Sequence, residues 1–423
     1  LTNWHFRYFF MATNNTSDLT DYYAHAAGGG IKFETARFHG FQLGISGFFI
    51  FNIGSPDFQK KDPKTNQLNR YELGLFDITD PANRKDIDRL EELFLRYNWK
   101  QSRVTIGKQL INTPFINLQD GRMRPTEVGA VYTEIQAGIR TRVEGGYVYE
   151  ISPRSTVEWY RTAASIGIYP QGVNPDGSRS NYAGNLKSKG ILLGHLSHKL
   201  YPSLTLTVSE LFTENIFNSL LLQADYRQKR KDGRPAFLAG IQYVRQDAVQ
   251  NGGNLNPAQT YFTKGGQSNS FGLKAGLEAK RWDLSANYTR ITADGRYLLP
   301  REWGRDPFFT FLPRERNEGL GDVHATVLKA GYKIPKANLK LQLATGYYNL
   351  PDVTNYALNK YSMPSYFQAN LDIRYEFKGL LKGMDAQCLF VYKGDAANNP
   401  LLPKSVINKV NMSQWNLLLN YRF

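Results

Sequence analysis

Two groups of residues in this 423-residue chain could do chemistry: a His/Ser cluster and a large set of arginines and lysines. The cluster is HLSH, carrying His195, Ser197 and His198. On a strand His195 and Ser197 would share a face, and His195 and His198 would not. A serine nucleophile needs its base within reach and a third group to orient that base, which two residues at i and i+2 do not supply. Two histidines on opposite faces also make a poor metal site. GxSxG, HExxH and P-loop patterns are absent. Cys388 is the sole cysteine, so neither an internal disulfide nor a cysteine-based metal site can form. These residues point away from an enzyme and call for no cofactor and no metal.

The cations are more informative. There are 52 Lys and Arg against 37 Asp and Glu, a formal charge of +15, which implies an acidic partner of some kind. They are scattered along the chain, and no helix-turn-helix, ribonucleoprotein or zinc-finger pattern accompanies them, so no nucleic-acid partner is expected. One stretch stands out as a long, charged interruption, KQLINTPFINLQDGRMRPTEVGA (108–130). Two prolines, the Asp120-Gly121 turn and the pair Arg122 and Arg124 interrupt a chain that otherwise alternates.

The elements that must position these cations are strands. Aromatic residues make up 13% of the chain and the mean hydropathy is −0.46, a polar average with abundant Tyr, Phe and Gly. No run of about 18 apolar residues exists, so no transmembrane helix is expected. A membrane β-barrel escapes that test, because alternation hides its lipid-facing residues from a window average. Eight short turns carry Pro, Asn, Asp-Gly or water-seeking Lys and Arg: ETARFHG (34–40), WKQSR (99–103), SPRST (152–156), KLYPS (199–203), KRKDGRP (229–235), AKRWD (279–283), IPKAN (334–338) and KGLLKGMD (378–385). Between them lie pairs of alternating segments and long Asn-, Asp-, Gly- and Tyr-rich connections. Eight turns join sixteen strands, and one strand at each end gives eighteen. The expectation is an all-β, single-domain transmembrane antiparallel barrel over residues 1–423, with short periplasmic turns and long extracellular loops. Residues 128–150 are too long for one strand and leave room for a kink or another hairpin.

Period-2 alternation assigns faces. In RWDLSANYTR, Trp282, Leu284, Ala286 and Tyr288 share the apolar face. The same test sends Arg7, Arg96, Arg103, Arg140, Arg142, Arg227, Lys274, Lys340, Arg374 and Arg422 to the lumen, since a charge on the lipid face costs about 2–4 kcal/mol near the midplane. Such cations could draw anions through the pore. They could equally pair with inward carboxylates such as Glu92, Glu144, Asp225 or Glu278, or sit at the headgroups against anionic lipid. The final strand, QWNLLLNYRF, places Tyr421 and Phe423 on the apolar face. Ending there, it resembles the signal read by the barrel assembly machinery of a Gram-negative-type outer membrane. The chain opens directly in strand-like LTNWHFRYFF, which is expected of a mature protein whose targeting segment has been removed.

Four segments carry a family resemblance. RVTIGKQLINTPFINLQDGRMRPTEVGAVY resembles the third-loop signature of OprD-type outer-membrane channels. HFRYFF is similar to their opening strand, PREWGRDPF to their seventh-loop Trp-Gly pattern, and DIRYEFKGLLKGMDAQCLFVY to their late hairpin. The resemblance implies an eighteen-stranded barrel, a monomer or weak trimer held in outer-membrane lipid and lipopolysaccharide. Small solutes, typically carboxylate-bearing, would pass by diffusion. It also implies that residues 110–127 fold inward as a constriction, with Asp120, Arg122 and Arg124 at the solute path. A non-specific diffusion porin and a barrel subunit of a larger outer-membrane complex remain as alternatives.

Overall fold

In a computed structural model the described residues are 1–119, 121–230 and 233–423. Nineteen strands form one antiparallel sheet that closes on itself. They are β1 (Thr2–Asn14), β2 (Tyr22–Glu34), β3 (Phe41–Gly54), β4 (Ile87–Trp99), β5 (Ser102–Gln109), β6 (Glu127–Ala137), β7 (Thr141–Ser152), β8 (Tyr160–Arg161), β9 (Ile191–Tyr201), β10 (Leu204–Thr213), β11 (Phe217–Arg227), β12 (Ala236–Ala248), β13 (Gln267–Glu278), β14 (Trp282–Ile291), β15 (Val323–Ile334), β16 (Leu339–Asn349), β17 (Tyr366–Glu376), β18 (Met384–Asp395) and β19 (Met412–Arg422). β8 is a two-residue appendage, and β7 pairs past it with β9, so the wall has eighteen strands. β1 pairs with β19 from His5 opposite Arg422 to Asn14 opposite Ser413, which leaves the barrel no free edge.

The strand count agrees with the sequence, but one turn does not. SPRST is the start of a long connection, residues 153–190, and the true turn lies at residues 138–140. Residues 128–150 are therefore a hairpin, in which Gly138 supplies the positive φ (71°) of a tight reversal. Seven of the eight expected turns stand where they were placed. The opposite end is also less uniform than expected, because residues 214–216 join β10 to β11 directly.

Alternation sets the faces. Leu43, Ile45, Leu93, Leu95, Phe271, Leu273, Leu343, Trp415 and Leu417 are exposed on the outer surface. Their neighbours Arg7, Phe9, Met11, Thr13, Asn416 and Asn420 point inward and are buried. They are buried because loops fill the loop-side half of the lumen. Residues 292–322 run along the wall from β12 to β19. Gln246 of β12 donates to Leu298 O (2.7 Å), Gln242 to Pro307 O (3.0 Å), and Thr310 bonds Thr289 of β14 (2.8 Å). Lys329 of β15 donates to Phe309 O (2.8 Å) and Tyr348 of β16 to Thr310 O (2.8 Å). Gln368 of β17 reaches Pro313 O (2.8 Å), and Arg314 reaches Asn416 of β19 (2.5 Å). Trp303, Tyr297 and Leu299 on this loop are fully buried with Phe115, Ile116 and Phe217 in one apolar cluster.

Candidate functional site

The site forms where residues 110–126 meet residues 292–322 inside the barrel. Pro114 and Pro125 cannot donate to a ladder, so the chain leaves the wall after Gln109. Asn117 then grips the other loop. Its backbone N donates to Trp303 O (3.1 Å), its side-chain nitrogen to Arg305 O (3.0 Å), and its side-chain oxygen accepts from Arg305 N (3.0 Å). Gly304 between them has φ +154° and would place any Cβ 2.6 Å from the Asn117 oxygen, so only glycine fits. Thr126 adds a bond to Glu302 O (2.7 Å), and Trp303 bonds Ser165 through its indole nitrogen (2.9 Å). From β1, four strands along the wall from β5, Arg7 donates to Arg122 O (2.8 Å) and Met123 O (3.3 Å), fixing residues 110–126 away from the strands that carry them.

This clasp gathers arginines. Gln119 Oε1 accepts from both Arg154 and Arg316, the latter at 2.8 Å. Gly121 O accepts from Arg122 (2.6 Å) and Arg314 (3.2 Å). Among the described residues, no carboxylate lies within ion-pair distance of the Arg122, Arg154 or Arg316 guanidinium. Arg122 Nε and Arg154 Nε are buried without a hydrogen-bond partner. Burial, and then neighbouring guanidinium groups, push Arg122 and Arg316 down to about 10. Cations held close together with few acceptors set up a positive field that an entering anion would relieve. Arg305 extends it, exposed and lying over the Phe311 ring (5.2 Å).

Of the residues singled out in the sequence, Asp120 lies outside the described residues. Arg122 is in the cluster. Arg124 is not: both Glu91 oxygens take its guanidinium, which also stacks on Phe48 (4.2 Å). Among the described residues, eight of the ten lumen cations pair with carboxylates along the wall. Arg96 pairs with Glu34 (3.6 Å), Arg103 with Glu134, and Arg142 with Glu134 (2.8 Å) and Glu144 (2.5 Å). Arg227 pairs with Glu278 (2.9 Å), Lys274 with Asp225 (2.8 Å) and Lys340 with Glu376 (2.6 Å). Arg374 pairs with Asp372 (3.0 Å) and Arg422 with Asp385 (2.6 Å). Arg7 is committed to the loop carbonyls. Arg140 needs correction: it stands in the turn at 138–140, exposed, because the hairpin ends where a continuous strand had been read. Tyr421 and Phe423 are exposed on the outer face, and Phe423 stacks with Trp4 (6.2 Å) and Phe6 (6.1 Å) of the first strand.

Sequence reasoning missed Gln119, Asn117, Arg154, Arg314 and Arg316, which no local pattern marks. It also missed that register, not spacing, gives His195 a serine. Ser209 of β10 lies opposite it, Nδ1 to Oγ 2.5 Å, and Glu144 of β7 lies on its other side. The Glu144 carboxylate is spent on Tyr132 (2.9 Å) and Arg142, so it does not orient the ring as a catalytic triad requires.

No family model matches the chain. No curated protein matches its sequence. Solved structures do match over its whole length. OccAB3 of Acinetobacter baumannii superposes with a TM-score of 0.75 at 14% identity, covering 100% of this chain and 98% of that one. OccAB4 of the same organism gives 0.74 at 16% identity, covering 100% and 97%. OccK3 (OpdO) of Pseudomonas aeruginosa gives 0.70 at 14% identity, covering 100% and 95%. These neighbours are outer-membrane channels of the Occ/OprD family. At such identities the likeness is one of architecture, and the chain has the fold of the Occ channels: a closed eighteen-stranded antiparallel barrel.

Proposed function

We propose that the chain is an outer-membrane porin of a Gram-negative-type bacterium, through which small hydrophilic solutes bearing a carboxylate diffuse without energy input. The observation that carries this reading is the arginine cluster. Eight of the wall cations are matched by carboxylates along the wall, whereas Arg122, Arg154 and Arg316 stand without one among the described residues. Residues 110–126 would be the constriction, held by Asn117 and Arg7. A carboxylate reaching it would exchange water for guanidinium forks, and Arg305 would offer the next stop. Weak, successive contacts allow release as well as entry. The exposed apolar band would seat the barrel in lipid, with the closing strand and Tyr421 and Phe423 serving its assembly.

Liposome swelling tests this with matched solutes of equal size, a carboxylic acid and its amide. The carboxylate is expected to enter faster, and Arg122→Gln with Arg316→Gln to abolish the difference while leaving the amide rate unchanged. Equal rates for both solutes in the unmodified protein would leave a non-specific porin. No swelling by well-folded protein would favour a structural subunit.

A further inference from the structure

The net charge of the chain is not spread over the barrel. The eight turns, residues 35–40, 100–101, 138–140, 202–203, 228–235, 279–281, 335–338 and 377–383, hold twelve Lys or Arg and one acid, Asp232. They account for eleven of the fifteen net positive charges. The nine loops at the other end hold twenty-two Lys or Arg against nineteen Asp or Glu. Strand cations are likewise nearly balanced, and the wall pairs described above show how.

Among the described residues the turn cations are almost unused internally. Arg37, Lys100, Arg140, Lys229, Arg230, Arg234, Lys280, Arg281, Lys336, Lys378 and Lys382 are all exposed. Among the described residues only Arg230 meets a carboxylate, Glu278 at 3.4 Å. Seven of the eight turns contribute, and exposed Lys199 flanks the eighth, so the charge encircles the barrel. Large apolar side chains stand exposed beside it. Phe38 follows Arg37, Ile139 precedes Arg140, Trp282 follows Arg281, and Leu380 and Leu381 lie between Lys378 and Lys382. Leu380 is fully exposed and Ile139 nearly so.

We infer that this rim is a binding collar for anionic phospholipid headgroups in the leaflet on the turn side, an inference that rests on the barrel's sitting in a bilayer. An electrostatic funnel for solutes would have no use for the exposed Phe, Ile, Trp and Leu that stand beside the charges in four of the turns. A protein partner would engage one arc, not a full circle. Apolar side chains at the acyl boundary with cations at the phosphates suit a headgroup layer. Each cation near an anionic surface contributes about fivefold in affinity.

The test uses native mass spectrometry of the full-length folded protein released from vesicles of equimolar phosphatidylethanolamine and phosphatidylglycerol. Phosphatidylglycerol is expected to be retained in several-fold excess and lost in high salt. Lys378→Gln with Lys382→Gln should cut the affinity by about 25-fold, and separately Arg37→Gln with Lys280→Gln and Arg281→Gln by about a hundredfold. Lys60→Gln with Lys61→Gln, the same kind of change on the loop side, should not. Equal retention of the two lipids by the unmodified protein, or equal loss from turn and loop variants, would overturn the collar. Heat-modifiable gel mobility confirms each variant's fold, and the unmodified protein's lipid preference stands independently of every variant. Conductance of the same samples separates the two readings, since a non-conducting barrel that still selects phosphatidylglycerol would sink the channel and not the collar.

Discussion

The two halves of this barrel solve the burial of charge in opposite ways. On the turn side, wall cations pair within a strand or between neighbouring strands while staying half-exposed to water, as Arg374 does with Asp372 on β17 and Arg422 of β19 with Asp385 of β18. Inside the loop-side core, charges are dry. Glu315 joins Arg70 (3.0 Å) and Lys393 (3.1 Å), the lysine fully buried, and Glu318 joins Arg301 (2.6 Å) and Lys360 (3.7 Å). Lys360 further sits among the rings of Tyr182 (4.9 Å), Tyr261 (4.9 Å) and Tyr361 (5.3 Å). Water screens the first kind of pair, so breaking one costs little. Nothing replaces the partner of the second kind, so breaking one is severe. The loop half thus behaves as a core that fixes the site, and the turn half as a wetted wall.

Four substitutions would break or sharpen this contrast, taken from the largest effect down. Trp303→Ala empties the centre of the loop-side core and is expected to destabilise by about 3–5 kcal/mol in urea unfolding. Glu315→Gln strands the buried Lys393 and the partly exposed Arg70, and a loss of about 3 kcal/mol is expected. The same carboxyl makes a pH prediction. Burial alone would raise it, but Arg70 and Lys393 overcome that and hold it well below its ordinary value of 4.5. Its stabilisation is therefore complete above pH 4.5 and fades as pH falls below that, so the Glu315→Gln penalty should shrink in acid; a penalty that grew would contradict the assignment. Gly304→Ala should displace the Asn117 clasp, costing about 1–3 kcal/mol and altering conductance together with stability. Arg422→Gln on the turn side should cost under about 1 kcal/mol. If it cost as much as Glu315→Gln, the two halves would not differ as described.

What the sequence made legible follows the range of the physics. Alternation is local, so faces could be read residue by residue, and Trp282, Leu273 and Leu417 stand exposed as read. The strand number came out at eighteen although one turn was misplaced. SPRST has the Pro and Ser of a tight turn, whereas the actual turn advertises itself only through Gly138 and puts an exposed Ile139 at its tip. That slip sent Arg140 to the lumen. The arginine cluster was half legible. Arg122 lies in a segment whose prolines mark it as leaving the wall, but its companions Arg154 and Arg316 come from other loops, and Asn117 meets Trp303 and Arg305 nearly two hundred residues away. Aperiodic loops carry no register from which such meetings could be inferred. Pairing of the wall cations was open to the sequence only as one of several alternatives, because parity gives a face and not a partner.

The central proposal is that loop arginines with no carboxylate partner among the described residues, and not the paired wall, would give the lumen an anion preference. Reversal potential across a planar bilayer under a salt gradient measures that preference directly. The account predicts anion selectivity in the unmodified protein, lost when Arg122, Arg154 and Arg316 become Gln and retained when Arg374 and Arg422 do. Cation selectivity, or anion selectivity that follows the wall residues instead, would contradict it.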